Sequence, residues 1–185
     1  MIDYQQLIYS EGCSSLTSVV IPNNVTSIGS HAFQGCSGLT SVIIGDGAKV
    51  IKSRAFEDCN NMKSLAIGKS VTSIEDQAFS QCKVLEDVFC YAESVPKLKF
   101  RVFNGVDLEN VTLHVPVASV EIYKQSWNQF KEVVPLTGQE TSVGSIKMDD
   151  QTSEWYQLDG RKSFGPKRGL NIIRMKDGTT KKILF

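Results

Sequence analysis

The chain has 185 residues, of which 41% are hydrophobic, and its 20 basic side chains balance 20 acidic ones. This composition is that of an ordinary folded protein and excludes a disordered chain. A formal charge of zero argues against bulk electrostatic attraction to nucleic acid or to an anionic membrane. No run approaches the roughly 18 apolar residues of a membrane-spanning helix, and the start carries no export signal.

Composition divides the chain into two parts. Residues 1–138 carry 11 basic and 14 acidic groups, whereas residues 139–185 carry 9 and 6. The polar stretch 139–144 between them is typical of a linker. We therefore expect one domain over residues 1–138 and a second over residues 145–185.

The first part is repetitive, because Cys13, Cys36, Cys59 and Cys82 are each 23 residues apart. Apolar positions keep the same period: Phe33, Phe56 and Phe79; Ile28, Ile51 and Ile74; Val19, Val42, Leu65, Val88 and Val111; Ile21, Ile44, Ile67, Cys90 and Leu113. Units therefore start near residues 13, 36, 59 and 82. A unit this short cannot bury its own apolar side chains, so we predict that successive units stack as a solenoid around a shared core.

Each unit predicts one main strand. The β-branched segment 16–21 is followed by Pro22, and Gly45 and Gly68 hold the same place in the next units. Strands that recur once per coil lie side by side and parallel. The returning half, as in residues 25–33, predicts a second short extended piece and then a turn of helix.

The units resemble the leucine-rich repeats of bacterial surface antigens of the BspA type. The patterns C-x-x-L-x-x-[VL]-x-I and I-x-x-x-A-F carry this resemblance over residues 12–136. It implies a right-handed leucine-rich repeat solenoid, with the parallel sheet on the concave face and short helical or irregular returns. It also implies a surface adhesin or interaction protein of bacterial origin, from the Bacteroidetes.

The last unit is degenerate. Phe103 follows Phe79 by 24 residues rather than 23, and Val115-Pro116 then repeats the strand ending of Ile21-Pro22. We predict a cap helix over residues 119–130, with Ser119 at its N-cap. One face of this helix carries an aromatic stripe that covers the open end of the core or, alternatively, forms a carbohydrate platform: Tyr123, Trp127 and Phe130.

Residues 145–185 predict a small antiparallel all-β module, because Asp159-Gly160 and Asp177-Gly178 each separate two strand-like runs. The last 40 or so residues resemble the secretion or sorting tail of exported Bacteroidetes proteins. The motif L-D-G-R and the segment 167–174 carry that resemblance. A small module packed beside the solenoid is the alternative interpretation.

We predict no enzyme activity, no cofactor and no metal site. His31 and His114 occupy different parts of different coils, and no phosphate-binding, zinc-binding or serine-hydrolase motif occurs. The cysteine column could form disulfides between coils about 5 Å apart, but it serves equally well as a column of small buried residues. We favour free thiols.

The outward positions of the main strands are the one surface that the sequence singles out. The hypothetical binding face consists of Ser18, Val20, Ser41, Ile43, Ser64, Ala66, Asp87, Phe89, Asn110 and Thr112. Its apolar members form a continuous strip, with Ile43 and Phe89 as anchors. Parallel strands that simply tolerate apolar residues, or a covering domain, would explain the strip without a ligand.

We therefore expect a non-enzymatic binding or adhesion protein that is located outside the cell or at its surface. Its expected partner is a protein, either of the host matrix or of another bacterial surface, with a polysaccharide as the other option; nucleic acid and membrane insertion are not expected. The alternatives are a structural spacer within a longer repeat array and a glycan-targeting accessory module.

Overall fold

The structure, a computed structural model, describes residues 14–136 in full. Beyond them it describes the backbone of four strands within residues 152–184. Over these residues, no helix has both the length and the apolar character needed to cross a bilayer.

Two parallel sheets form the solenoid. The main sheet contains one strand from each coil: β1 (Ser18–Ile21), β3 (Ser41–Ile44), β5 (Ser64–Ile67), β7 (Asp87–Cys90), β9 (Thr112–Val115) and β10 (Glu132–Pro135). The second sheet contains two-residue strands: β2 (Ser27–Ile28), β4 (Val50–Ile51), β6 (Ser73–Ile74) and β8 (Lys97–Leu98). Neighbouring strands in both sheets are one coil apart, so the predicted repeat solenoid is confirmed.

The returning halves contain turns rather than the predicted turn of helix. In each described coil, the residue before the Ala-Phe or Val-Phe pair has a positive φ, as does the residue two positions after the Phe. The first set is His31, Arg54, Gln77 and Arg101, and the second is Gly35, Asp58, Gln81 and Gly105. Two left-handed residues per coil interrupt any helix, because a right-handed helix requires negative φ at every position.

A stack of parallel rings forms the centre of the core. Phe33 and Phe56 have ring centroids 5.0 Å apart, Phe56 and Phe79 5.4 Å, and Phe79 and Phe103 5.6 Å. Phe56 and Phe79 are fully buried. The stack therefore joins the four described coils, and the predicted burial of the repeated phenylalanines is confirmed.

Aromatic side chains also close the C-terminal end of the core. The helix α1 (Val120–Ser126) is shorter than the predicted 119–130. Tyr123, Trp127 and Phe130 are buried, and both Trp127 and Phe130 contact the Phe103 ring edge-on. The predicted N-cap bond is absent, because the Ser119 hydroxyl donates instead to the Glu93 carbonyl.

The C-terminal strands belong to the main sheet. They are β11 (Thr152–Gln157), β12 (Lys162–Ser163), β13 (Leu170–Met175) and β14 (Thr180–Leu184). They pair antiparallel with one another, and β14 also pairs in parallel with β1. A separate antiparallel module is therefore not supported, and most of the predicted linker and module lies outside the described residues.

Candidate functional site

The outward positions of the six parallel strands form two rows. The first row runs Ser18, Ser41, Ser64, Asp87, Thr112 and Glu132, and the second runs Val20, Ile43, Ala66, Phe89, His114 and Val134. Alternation along each strand turns these residues away from the core. We call these two rows the outer face. Except for the buried Ala66, all of its members are partly or fully exposed.

The structure places the predicted residues of the first four strands on the outer face, but it does not place Asn110 there, and Thr112 lies in the first row rather than the second. A constant 23-residue period places Asn110 after Asp87 in the first row, but β9 aligns Thr112 with Asp87 and His114 with Phe89. The degenerate coil is two residues longer than the three coils before it, so Thr112 moves to the first row. Asn110 ends a 3-10 turn, Leu108–Asn110, outside the sheet.

His114 is the functional candidate that the sequence analysis missed. Its ring stacks on Phe89 with centroids 4.3 Å apart and planes inclined by 15°. Its Nε2 atom lies 2.9 Å from Asp87 Oδ1. The repeated strand ending Val115-Pro116 was the signal for this register, because aligning it with Ile21-Pro22 brings His114 into the second row.

Charge is concentrated at the same end of the outer face. Asp87 and Glu132 replace the serines of the first three strands, and Thr112 Oγ1 donates to Glu132 Oε2 at 3.3 Å. Beside the first row, Lys63 and Glu86 form an ion pair at 3.0 Å. The outer face thus has an aliphatic half with hydroxyl groups and an aromatic half with carboxylates.

A cleft continues the outer face beyond the ends of the strands. The next outward position is glycine in two neighbouring coils, Gly45 and Gly68, then Tyr91, Pro116 and Leu136. A Cβ on Gly68 would lie 2.4 Å from the Gly45 carbonyl oxygen, so no larger residue fits there. The cleft has a volume of about 630 Å³, and its lining includes Asp46, Lys69 and Val117.

The cysteines are buried structural residues. Cys59 Sγ lies 3.3 Å from the Phe33 carbonyl oxygen and Cys82 Sγ lies 3.4 Å from that of Phe56. Burial raises the pKa of Cys82 to about 12 and that of Cys90 to about 11. Because the thiolate is the reactive form, these groups are poor nucleophiles and poor metal ligands. The expected free thiols are confirmed for Cys59, Cys82 and Cys90.

Within residues 14–136, no group of three or more His, Cys, Asp or Glu side chains is arranged to hold a metal ion. His31 Nδ1 lies 2.6 Å from Gln34 Oε1 in a return, far along the chain from the His114 pair on the main sheet. The two histidines are thus in different environments, and each has a polar partner on its own surface.

Comparison with known proteins gives one family. The model of the BspA-type leucine-rich repeat region matches residues 7–130 in six copies. A solved leucine-rich repeat protein of T. pallidum is 32% identical over 60% of this chain and 49% of that chain, with a TM-score of 0.50. A leucine-rich cell surface protein of Faecalibacterium prausnitzii A2-165 is 24% identical over 89% of this chain and 44% of that chain, with a TM-score of 0.38. No curated protein matches.

This chain spans about half the length of the two solved proteins. The family match ends at residue 130, and none of the comparisons identifies a sorting tail. The predicted resemblance of the last 40 or so residues to a secretion signal is therefore not supported.

Proposed function

The chain belongs to the family of BspA-type leucine-rich repeat proteins, and we propose that it binds a protein partner through its outer face. The partner is a host matrix protein or another bacterial surface protein. The protein acts outside the cell or at its surface, and it has no enzyme activity. The surface location rests on the resemblance of the repeats to bacterial surface antigens.

The stacked pair Phe89 and His114 is the observation that carries the proposal. Protein interfaces derive most of their binding energy from a few aromatic or arginine residues in a surface that excludes water. Phe89 is partly exposed although it lies in the middle of a strand, and the ring of His114 fixes its orientation. A ring held in place before binding loses little conformational entropy when a partner covers it.

The rest of the outer face suits the same role. Val20, Ile43 and Val134 continue the second row as apolar contact area, while the serines and carboxylates of the first row supply hydrogen-bonding groups. An apolar centre with a polar border is the usual composition of a protein interface. The aliphatic half and the aromatic half would give a bound partner one preferred orientation.

The arrangement of polar groups supports the non-enzymatic part of the proposal. Asp87 engages the one histidine of the outer face, and the ring of that histidine stacks on Phe89. A nucleophile and a base need a shared reacting position between them, which a flat strand surface does not enclose.

The test is a binding screen of the whole chain against immobilised extracellular-matrix proteins, with a variant that carries Ile43→Ser and Phe89→Ser. A matched control carries Val84→Ser and Ile122→Ser, which remove two exposed apolar side chains outside the outer face. We expect saturable binding that the first variant loses and the control keeps. Circular dichroism and thermal unfolding of both variants verify that they fold.

Two outcomes would contradict the proposal. Equal loss of binding in both variants would show that the interaction is not specific to the outer face. No binding by the unmodified chain, to matrix proteins or to a panel of bacterial surface proteins, would favour a structural spacer within a longer array.

A further inference from the structure

We propose that the cleft beyond the ends of β5, β7 and β9 is a binding site for a neutral saccharide. This site is separate from the aromatic pair of the outer face, and the inference does not rest on the partner-binding proposal. Its volume of about 630 Å³ lies in the range of roughly 300–1,000 Å³ that is usual for small-molecule sites.

The coils differ at the turn beside which the cleft lies. Gly45 and Gly68 immediately precede the lining residues Asp46 and Lys69, and close backbone atoms leave no room for larger residues at these two positions. On the opposite side, Pro116 and Leu136 follow the last two strands, and Val117 is 71% exposed. An aliphatic side chain this exposed beside a concave surface is available for contact with a ligand.

The carboxylate of Asp46 is fixed in place. Asp46 Oδ1 accepts a hydrogen bond of 3.0 Å from the Lys69 backbone N–H, and its Oδ2 lies 3.5 Å from Lys69 Nζ. The Asp46 side chain is only 15% exposed. The Asp46 backbone N–H donates in turn to Asn23 Oδ1 at 2.8 Å. This carboxylate therefore meets a ligand without having to reorganise.

The chemistry of the lining favours a ring that carries hydroxyl groups. Carboxylates accept hydrogen bonds, an ammonium group donates them and hydroxyl groups do both. The cleft offers all three kinds, together with an aromatic ring and aliphatic surface: Asp46, Lys69, Ser70, Thr72, Glu93 and Ser94, with Val71, Tyr91, Pro116, Val117 and Leu136.

Charge disfavours other classes of ligand. Two carboxylates, Asp46 and Glu93, outnumber one ammonium group, Lys69, so an anion would meet net repulsion. The ion pair between Asp46 and Lys69 already neutralises the more buried carboxylate, which reduces the attraction for a cation. A neutral sugar has an apolar ring face for Val117 and Tyr91 and hydroxyl groups for the polar wall.

Titration of the whole chain with neutral mono- and oligosaccharides, followed by saturation-transfer NMR and calorimetry, tests the inference. The variant Val117→Arg places a long charged side chain at the cleft, and Ile122→Arg is the control, because Ile122 is an aliphatic residue of the adjacent helix that is 52% exposed. We expect Val117→Arg to weaken saccharide binding by about tenfold or more, equivalent to about 1.4 kcal/mol, and Ile122→Arg to leave it unchanged.

Partner binding by the outer face and saccharide binding by the cleft can be tested independently. The variant with Ile43→Ser and Phe89→Ser should keep saccharide binding, since neither residue lines the cleft. Binding of no neutral saccharide, stronger binding of an acidic sugar than of its neutral counterpart, or equal binding by Val117→Arg and the unmodified chain would overturn the inference.

Discussion

Phe89 and His114 stack with ring centroids 4.3 Å apart although they are 25 residues apart in the sequence, whereas the paired residues of the first four strands are 23 residues apart. The two rings meet because β7 and β9 pair in a register that places Phe89 directly beside His114. The two extra residues are accommodated in the return between these strands, which contains the 3-10 turn. The two extra residues that bring the rings together are also the reason why a constant 23-residue period does not predict the pair.

The stacking should be measurable as a coupling energy. We expect a double-mutant cycle with Phe89→Ala and His114→Ala to give about 0.5–1.5 kcal/mol, the usual value for an aromatic pair. Urea denaturation of the four proteins measures it. The variant Asp87→Asn, which keeps a hydrogen-bonding side chain next to His114, should leave most of the coupling intact. Additive single effects would show that the rings do not interact in solution.

The phenylalanine stack should dominate stability. Phe56→Ala removes a fully buried ring that stacks on both neighbours, so we expect a loss of about 3–5 kcal/mol in the free energy of unfolding. Val84→Ala, at a side chain that is 41% exposed, should change it by less than about 0.5 kcal/mol. Chemical denaturation monitored by circular dichroism provides both values. Similar small losses in the two variants would contradict the described core.

Substitutions at two of the left-handed positions should change the stability in opposite directions. Gly35 has a φ of 71°, and no atom lies within 4 Å of the place that a Cβ would occupy. Gly35→Ala therefore introduces backbone strain without a clash and should cost about 1 kcal/mol. Asp58 has a φ of 61° at the equivalent position of the next coil. Asp58→Gly relieves that strain and should be neutral or stabilising by up to about 0.5 kcal/mol. Thermal unfolding distinguishes the two signs.

Stability should fall at high pH. Burial raises the pKa of Cys82 from 9.0 to about 12 and that of Cys90 to about 11, so the folded state keeps protons that the unfolded chain releases. The stabilising contribution is complete below pH 9 and is lost as the pH rises through the folded pKa values. Urea denaturation at pH 7, 9 and 10.5 measures the decrease. Cys82→Ala should make the pH dependence shallower, and an unchanged slope would contradict this assignment.

The sequence was sufficient for the features that repeat. Core positions such as Phe56 follow from the period, because every coil must present the same side chain to its neighbours. The sequence alone was insufficient where coils differ. Neither the register of Thr112 nor the depth of the cleft beside Gly68 follows from one unit, since each depends on how two unequal coils align.

The turn around each repeated phenylalanine, which we call the phenylalanine corner, also shows why the predicted helical turn failed. A segment such as residues 25–33 has apolar residues at spacings that suit a helix, yet His31 N–H donates to the Ser53 carbonyl of the following coil. Hydrogen bonds between coils replaced those within a helix, and the left-handed residues make that possible. Nothing in a single unit distinguishes these two sets of bonds.

Those corner bonds all point the same way. Phe33 N–H donates to the Ala55 carbonyl, Phe56 N–H to that of Ala78, and Phe79 N–H to that of Val102. Aligned peptide dipoles add, so this edge of the solenoid acts as a weak electrical axis whose positive end lies at the C-terminal coil. A polar group that contacts this end of the edge is therefore favoured if it presents a hydrogen-bond acceptor such as a carbonyl oxygen.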